Sequence, residues 1–228
     1  DWLGGALAAT PRKVIYEESH DEAGNSTYRE DGETHHSARN IMAAVNDTLL
    51  DNTRPWAEAR CHVAAGLTLL SAGTPMFFMG EEVGAAQPYR YDDFLQHRED
   101  ILGLRANGGA HMFRFYQDLI RLRRRAAAFR SPNVETLHAH NANRVLAFRR
   151  WWGDEEFLIL SSLNNAPFDS GYDVSHPSLP DSAWTEVLNS DADIYGGLNV
   201  CNGSGVRSSG GSFRARIPAN GVVVFQRL

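Results

Sequence analysis

Val14-Ile15-Tyr16-Glu17-Glu18-Ser19-His20-Asp21-Glu22 is the stretch that decides how this chain is read. Three β-prone residues follow Pro11 and run directly into an ionisable cluster. A buried strand whose C-terminal end opens into polar groups is the unit in which parallel barrels place their chemistry. A turn or helix cap built from His20 and Asp21 fits the same spacing. The surroundings therefore have to weigh the two.

Working outward, residues 23 to 34 read as a polar loop. Residues 36 to 50 read as a helix, with Ile41, Val45 and Leu49 spaced by four. Thr53-Arg54-Pro55-Trp56 starts a second helix with proline in its first turn. Ala59, Val63, Leu67 and Leu70 mark its buried face, and Gly73 stops it. Thr74 to Met79 is an uninterrupted apolar run of strand length, as expected of a strand buried on both faces. Gly80-Glu81-Glu82 again sets carboxylates just beyond the strand. A long loop over residues 84 to 110 precedes a helix from His111 to Phe129, with Met112, Phe115, Leu119 and Leu122 on one face. Arg121, Arg123, Arg124 and Arg125 crowd its end, where cations complement the helix dipole; they read as a solvated helix terminus.

Beyond Pro132 the texture changes. Short runs at 134–139, 144–150, 157–163, 184–188, 212–217 and 221–228 are separated by turn residues and carry no helical period. The expected fold class is α/β plus all-β. Residues 1–131 would supply the last two β/α units of a (β/α)8 barrel, and residues 132–228 an antiparallel β-sandwich domain. Two such units cannot close a barrel, which takes about 250 residues. Together with a first residue, Asp1, that is not methionine, this predicts a preceding N-terminal part of the same enzyme as the chain's structural partner.

A net charge of −6 argues against a nucleic-acid surface, which needs a basic footprint. Cys61 and Cys201 give neither a disulfide framework nor metal-ligand spacing, so a reducing, cytoplasmic setting is expected. The uncharged span from Val63 to Gly80 is broken by Gly66, Gly73 and Pro75, which speaks for a buried helix and strand and against a membrane crossing. No signal peptide is visible. His35-His36 lacks further ligands at a fitting spacing, and the glycines at 203, 205, 210 and 211 lack a strand-to-helix setting. No metal and no cofactor are expected. His138 and His140 would share one face of a strand. Trp151 and Trp152 would point opposite ways.

The first motif resembles the fourth conserved region of the α-amylase superfamily, where a strand ends in Asn-His-Asp or Ser-His-Asp. Ala72-Gly73-Thr74-Pro75-Met76-Phe77-Phe78-Met79-Gly80-Glu81-Glu82 resembles that superfamily's last barrel strand, a Gly-x-Pro run ending in Gly-x-Glu. Residues 191 to 202, with Tyr195-Gly196-Gly197 and Asn199-Val200, are similar to the C-terminal β domain of branching enzymes.

The resemblance implies an enzyme acting on α-glucans as a retaining glycosyltransferase, most like a 1,4-α-glucan branching enzyme. Asp21 would be the catalytic carboxylate that stabilises the transition state. His20 and Glu22 would contact the sugar, and Tyr91, Asp92 and Asp93 would line the glucan cleft unless their loop is simply solvated. Glu81 and Glu82 would be mainly structural. The nucleophile and general acid of such an enzyme sit on earlier strands, and residues 1 to 13 hold no such motif, so this chain alone is expected to be inactive. The loop begun by Ala23-Gly24-Asn25 departs from the branching-enzyme pattern. It leaves an α-amylase-type or trehalose-related hydrolase as one alternative. A non-catalytic glucan-binding or scaffolding chain is another.

Overall fold

A computed structural model describes residues 13–21, 23, 27–30, 33–36, 39–45, 49–87, 95, 98–203 and 205–228. Its elements, in chain order, begin with β1 (Val14–Ile15), a hairpin of β2 (Thr27–Glu30) and β3 (Glu33–His36), and the single turn α1 (Asn40–Ala43). The long helix α2 (Arg54–Leu70), β4 (Thr74–Pro75), α3 (Ile101–Ala106) and α4 (Ala110–Arg125) follow. Eight further strands complete the chain: β5 (Val134–His140), β6 (Val145–Trp152), β7 (Glu155–Ser162), β8 (Phe168–Ser175), β9 (Ser182–Asn189), β10 (Val206–Ser209), β11 (Ser212–Ile217) and β12 (Gly221–Arg227).

β1 and β4 pair in parallel, Val14 opposite Thr74 and Ile15 opposite Pro75, with α1 and α2 between them in the chain. Parallel pairing puts the C-terminal ends of both strands on the same side. The expected six-residue strand after Gly73 is therefore only two residues long in the ladder, with Met76 N–H still donating to the Ile15 carbonyl at 2.9 Å. It is also not buried on both faces, since Met76, Phe77 and Met79 are exposed, as are Val14 and Tyr16 in and just after β1. β1 is its one pairing partner among the described residues, so nothing described covers the far edge.

The last eight strands form one antiparallel sheet, ordered β5-β6-β7-β12-β9-β10-β11-β8. It curls until its two edges meet, where a His138 ring nitrogen lies 2.9 Å from the Tyr172 hydroxyl. The expected sandwich thus takes the form of a single sheet folded over its own core. Both faces of its centre are buried, which is why β12 reads Val222-Val223-Val224-Phe225 without a polar alternate. Val222 and Val224 pack with Phe148, Ile159, Leu67, Phe115 and Leu119 against the helices. Val223 and Phe225 pack with Leu158, Trp184, Phe213 and Ile217 inside the curl. α2 comes so close to β12 that a Cβ on Gly66 would lie 2.8 Å from Val222.

Two basic residues join these layers at the end of α2. Arg150, fully buried on β6, donates to the carbonyls of Asn133 (2.9 Å), Ala128 (3.1 Å), Ser131 (2.7 Å) and Leu70. Arg123, expected to be part of a solvated helix end, donates instead to the carbonyls of Leu69 (2.5 Å), Ser71 (3.1 Å) and Gly73 (2.6 Å). We expect Arg150→Ala to lower unfolding stability in denaturant titration by about 3 kcal/mol or more, because several buried carbonyls lose their donor together. Arg150→Lys should recover only part of the loss, since a lysine cannot span the fork.

Candidate functional site

The site grows from the two strand ends that β1 and β4 place side by side. Glu17 and Glu18 leave β1, and Glu81 and Glu82 leave β4 by way of Gly80, whose φ of 99° only glycine adopts freely. Gly80 N–H donates to Glu82 Oε2 (2.8 Å) and Phe78 N–H to Glu81 Oε1 (2.6 Å), which fixes both carboxylates at the turn. Tyr116, reaching up from the buried face of α4, sets its hydroxyl 3.1 Å from Glu17 Oε1 and 3.2 Å from Glu81 Oε2. Glu18 forms an ion pair with Arg39, both nearly enclosed. Arg39 also donates to the Met79 carbonyl (2.9 Å) and lies over the Phe78 ring. Glu81 and Glu82 thus both accept backbone N–H groups of the turn that follows β4.

Burial dominates the electrostatics here. It pushes the Glu17 carboxyl well above the ordinary carboxylate range, and the neighbouring Glu81 charge adds to the rise. Burial also lifts Glu81, against the hydrogen bonds it accepts. Glu18 rises to about 7, burial again outweighing Arg39. The same burial, with the surrounding glutamates, raises the Tyr116 hydroxyl and the Cys61 thiol. The strand ends therefore rest on a floor of enclosed carboxyls whose burial favours their protonated forms.

Above that floor, Ser19-His20-Asp21 turns outward. His20 Nε2 lies 3.3 Å from Asp21 Oδ1, and the two side chains are 52% and 81% exposed. Asp21 N–H donates to Ser19 Oγ (3.2 Å), and Ala23 N–H closes a turn on the Ser19 carbonyl (2.8 Å). His20 and Asp21 are thus brought together at one strand end. Glu22, Tyr91, Asp92 and Asp93 lie outside the described residues. The buried trio of Glu17, Glu18 and Glu81 with Tyr116 was not singled out from sequence. The consecutive glutamates before Ser19 and those after Gly80 were its visible signals.

Elsewhere, the expected loop over 23–34 contains the β2–β3 hairpin, and His35 and His36 lie on β3 instead of leading a helix. The helix expected over 36–50 is the single turn α1. Ile41, Val45 and Leu49 do face one core, so their spacing reported burial and not helix. Among the described residues no group of three or more histidine, cysteine or acidic side chains is placed to hold a metal ion. No helix among them is long and apolar enough to cross a membrane. Cys61 and Cys201 are both free thiols.

The raised carboxyl pKa values have a measurable consequence. A carboxyl whose folded pKa is raised adds stability that is complete below its ordinary value of 4.5 and is lost as pH rises through the folded value. The denaturation midpoint should therefore fall from pH 5 to pH 8. Glu17→Gln, which keeps a partner for Tyr116 without titrating, should flatten that fall.

Comparison with known proteins bears on this arrangement. Residues 136–227 match the family model described as alpha amylase, C-terminal all-beta domain. A 1,4-alpha-glucan branching enzyme GlgB of Pseudomonas syringae pv. tomato is 27% identical over 194 residues, covering 77% of this chain and 24% of that protein. Neopullulanase 2 of Thermoactinomyces vulgaris is 27% identical over 139 residues, covering 61% of this chain and 23% of the relative. The chain thus spans about a quarter of the length of the curated relatives it matches. Among solved structures, the alpha-amylase from Geobacillus thermoleovorans complexed with acarbose shares the fold. Its TM-score is 0.57 at 14% identity, over 75% of this chain and 33% of that one.

Proposed function

We propose that the chain is the C-terminal portion of an α-glucan-active retaining enzyme of the α-amylase superfamily, most like a 1,4-α-glucan branching enzyme. The observation that carries this reading is the exposed His20–Asp21 pair at the C-terminal end of β1, beside the end of the parallel strand β4. In this reading residues 1–131 supply the last two β/α units of a (β/α)8 barrel and residues 132–228 its C-terminal β domain. The exposed apolar side chains of β1 and of the segment after β4 then meet the preceding strands of the same enzyme, in a cytoplasmic setting.

Retaining glycosyl transfer runs in two displacements. A carboxylate attacks the anomeric carbon while a general acid protonates the departing glucan oxygen. The covalent glycosyl-enzyme is then attacked by an acceptor 6-hydroxyl, whose proton returns to the same general acid. Both displacements pass through a state with positive charge at the ring oxygen and anomeric carbon. Asp21 stabilises that charge electrostatically, which is effective because it is already in place and needs no reorganisation. His20 holds a sugar hydroxyl, and Glu22, Tyr91 and Asp92 contribute to the glucan cleft. Nucleophile and general acid come from the preceding part of the enzyme, so the present chain alone turns over no glucan.

Hydrolysis is the second reading, with water replacing the 6-hydroxyl. The similarity to neopullulanase 2 favours it. In the complete enzyme, Asp21→Asn should lower kcat by about 100-fold or more; turnover within a few-fold of wild type would remove Asp21 from this role. Reducing-end assays separate the two readings. Branching leaves the number of reducing ends constant, and hydrolysis raises it with every cleavage.

A further inference from the structure

A cleft of about 310 Å³ lies between the first half of α2 and the loops at one end of the curled sheet. None of its lining residues comes from β1, β4 or the segments that follow them, so it is separate from the His20–Asp21 ledge. Trp56 of α2 (47% exposed) and Leu198 (88% exposed) line it together with Pro167. Leu198 is held in this exposed position. Asp191 accepts the N–H groups of Leu198 (3.1 Å) and Val200 (2.8 Å) on its carboxylate and that of Asn199 (2.7 Å) on its carbonyl. A Cβ on Gly197 would lie 2.2 Å from the Asp191 carbonyl oxygen, so the loop can close only with glycine there.

Two almost fully buried side chains, His62 and Asn220, also line the cleft, and each leaves one polar atom without a hydrogen-bond partner: Nε2 and Oδ1. Both atoms are acceptors. Burial drives the His62 pKa to about 3, so the ring is neutral; in the tautomer protonated at Nδ1, which the nearby Ser190 carbonyl favours, Nε2 carries a lone pair. Asn165 Oδ1 accepts from Arg60 (3.3 Å) and from Asn220 Nδ2 (3.1 Å), which fixes the Asn220 amide with Oδ1 as its free acceptor. Buried acceptors are seldom left unpaired, and two in one cleft call for a ligand with several donors. No lysine or arginine lines the cleft, whereas Glu58 and Asp191 do, which disfavours an anion. Glu58 is already paired with Arg54 and Asp191 with backbone amides, so no bare carboxylate waits for a cation. A pyranose matches what remains, with C–H faces for an exposed indole and a leucine and hydroxyl donors for the two acceptors.

We propose that this cleft is an accessory saccharide-binding site taking the end of a short α-glucan, with Trp56 against the sugar ring and His62 and Asn220 accepting its hydroxyls. The saccharide chemistry follows from the cleft; the choice of an α-linked glucan rests on the functional reading above. Both acceptors are enclosed, so a sugar hydroxyl reaches them only when a lining side chain moves aside.

Saturation-transfer NMR of the full chain with maltotriose, and separately with cellotriose, tests this. Transfer to maltotriose is expected, with affinity about 10-fold or more weaker in Trp56→Ala and reduced in Leu198→Ala, both variants on exposed side chains that leave the fold intact by circular dichroism. Asp21→Asn should leave binding unchanged. Absence of transfer from wild type to either sugar, or unchanged binding in both cleft variants, overturns the site. Loss of binding in Asp21→Asn overturns it as well, by placing the sugar on the ledge. Cellotriose bound as tightly as maltotriose, and through Trp56, overturns the α-glucan assignment without touching the catalytic reading.

Discussion

The C-terminus of α2 is the joint on which the rest depends. A helix end leaves four carbonyls without partners inside the helix, and here that end is buried between α4, β6 and the turn at residues 127–130. Arg123 comes from one side and Arg150 from the other, and together they bind the carbonyls of Leu69, Leu70, Ser71 and Gly73. Burial lowers both pKa values, to about 10 and about 9, and both residues stay charged at neutral pH. The same two side chains therefore end the helix, turn the chain and fasten it to the sheet.

The turn they hold leads directly into β4. Because β4 pairs in parallel with β1, fixing the end of α2 also fixes which carboxylates meet beyond the two strands. Glu81 arrives opposite Glu17, and Tyr116 from α4 reaches both. α4 supplies Arg123 to the joint and Tyr116 to the carboxyl floor, less than two helical turns apart on one element. The position of the Ser19-His20-Asp21 turn is in this way traceable to hydrogen bonds at the far end of β4.

Burial patterns carried most of what the sequence revealed. α2 and α4 were legible from their apolar spacing and proline and glycine punctuation, and six of the eight sheet strands from short apolar runs. β8 and β10 were not, since Phe168 to Ser175 is mostly polar and Val206 to Ser209 is short; pairing with β11 on one side makes them strands, and no local preference does. The single turn at α1 shows the converse, a four-residue period satisfied by burial alone. At the site, the Ser-His-Asp motif was visible because its polar residues interrupt an apolar strand. The roles of Arg39 and Tyr116 were hidden, because an arginine before a helix and a tyrosine on its apolar face look ordinary until tertiary contacts bring them to the glutamates. The cleft at Trp56 and Leu198 was invisible for the same reason: its walls come from α2 and from loops more than a hundred residues later.

The two tiers of the strand-end site divide the work of holding charge. Three glutamates close together beneath an aspartate would repel one another and it. The structure limits this by burying the lower carboxyls, which favours the protonated form of Glu17, and by setting Glu18 against Arg39. Asp21, a few residues further on, stands outside that enclosure beside His20. Burial, which raises the carboxyl pKa values, and the Arg39 ion pair both reduce the negative charge beneath Asp21. The enclosed carboxyls, hydrogen-bonded to Tyr116 and paired with Arg39, are thus part of how the ledge keeps its shape.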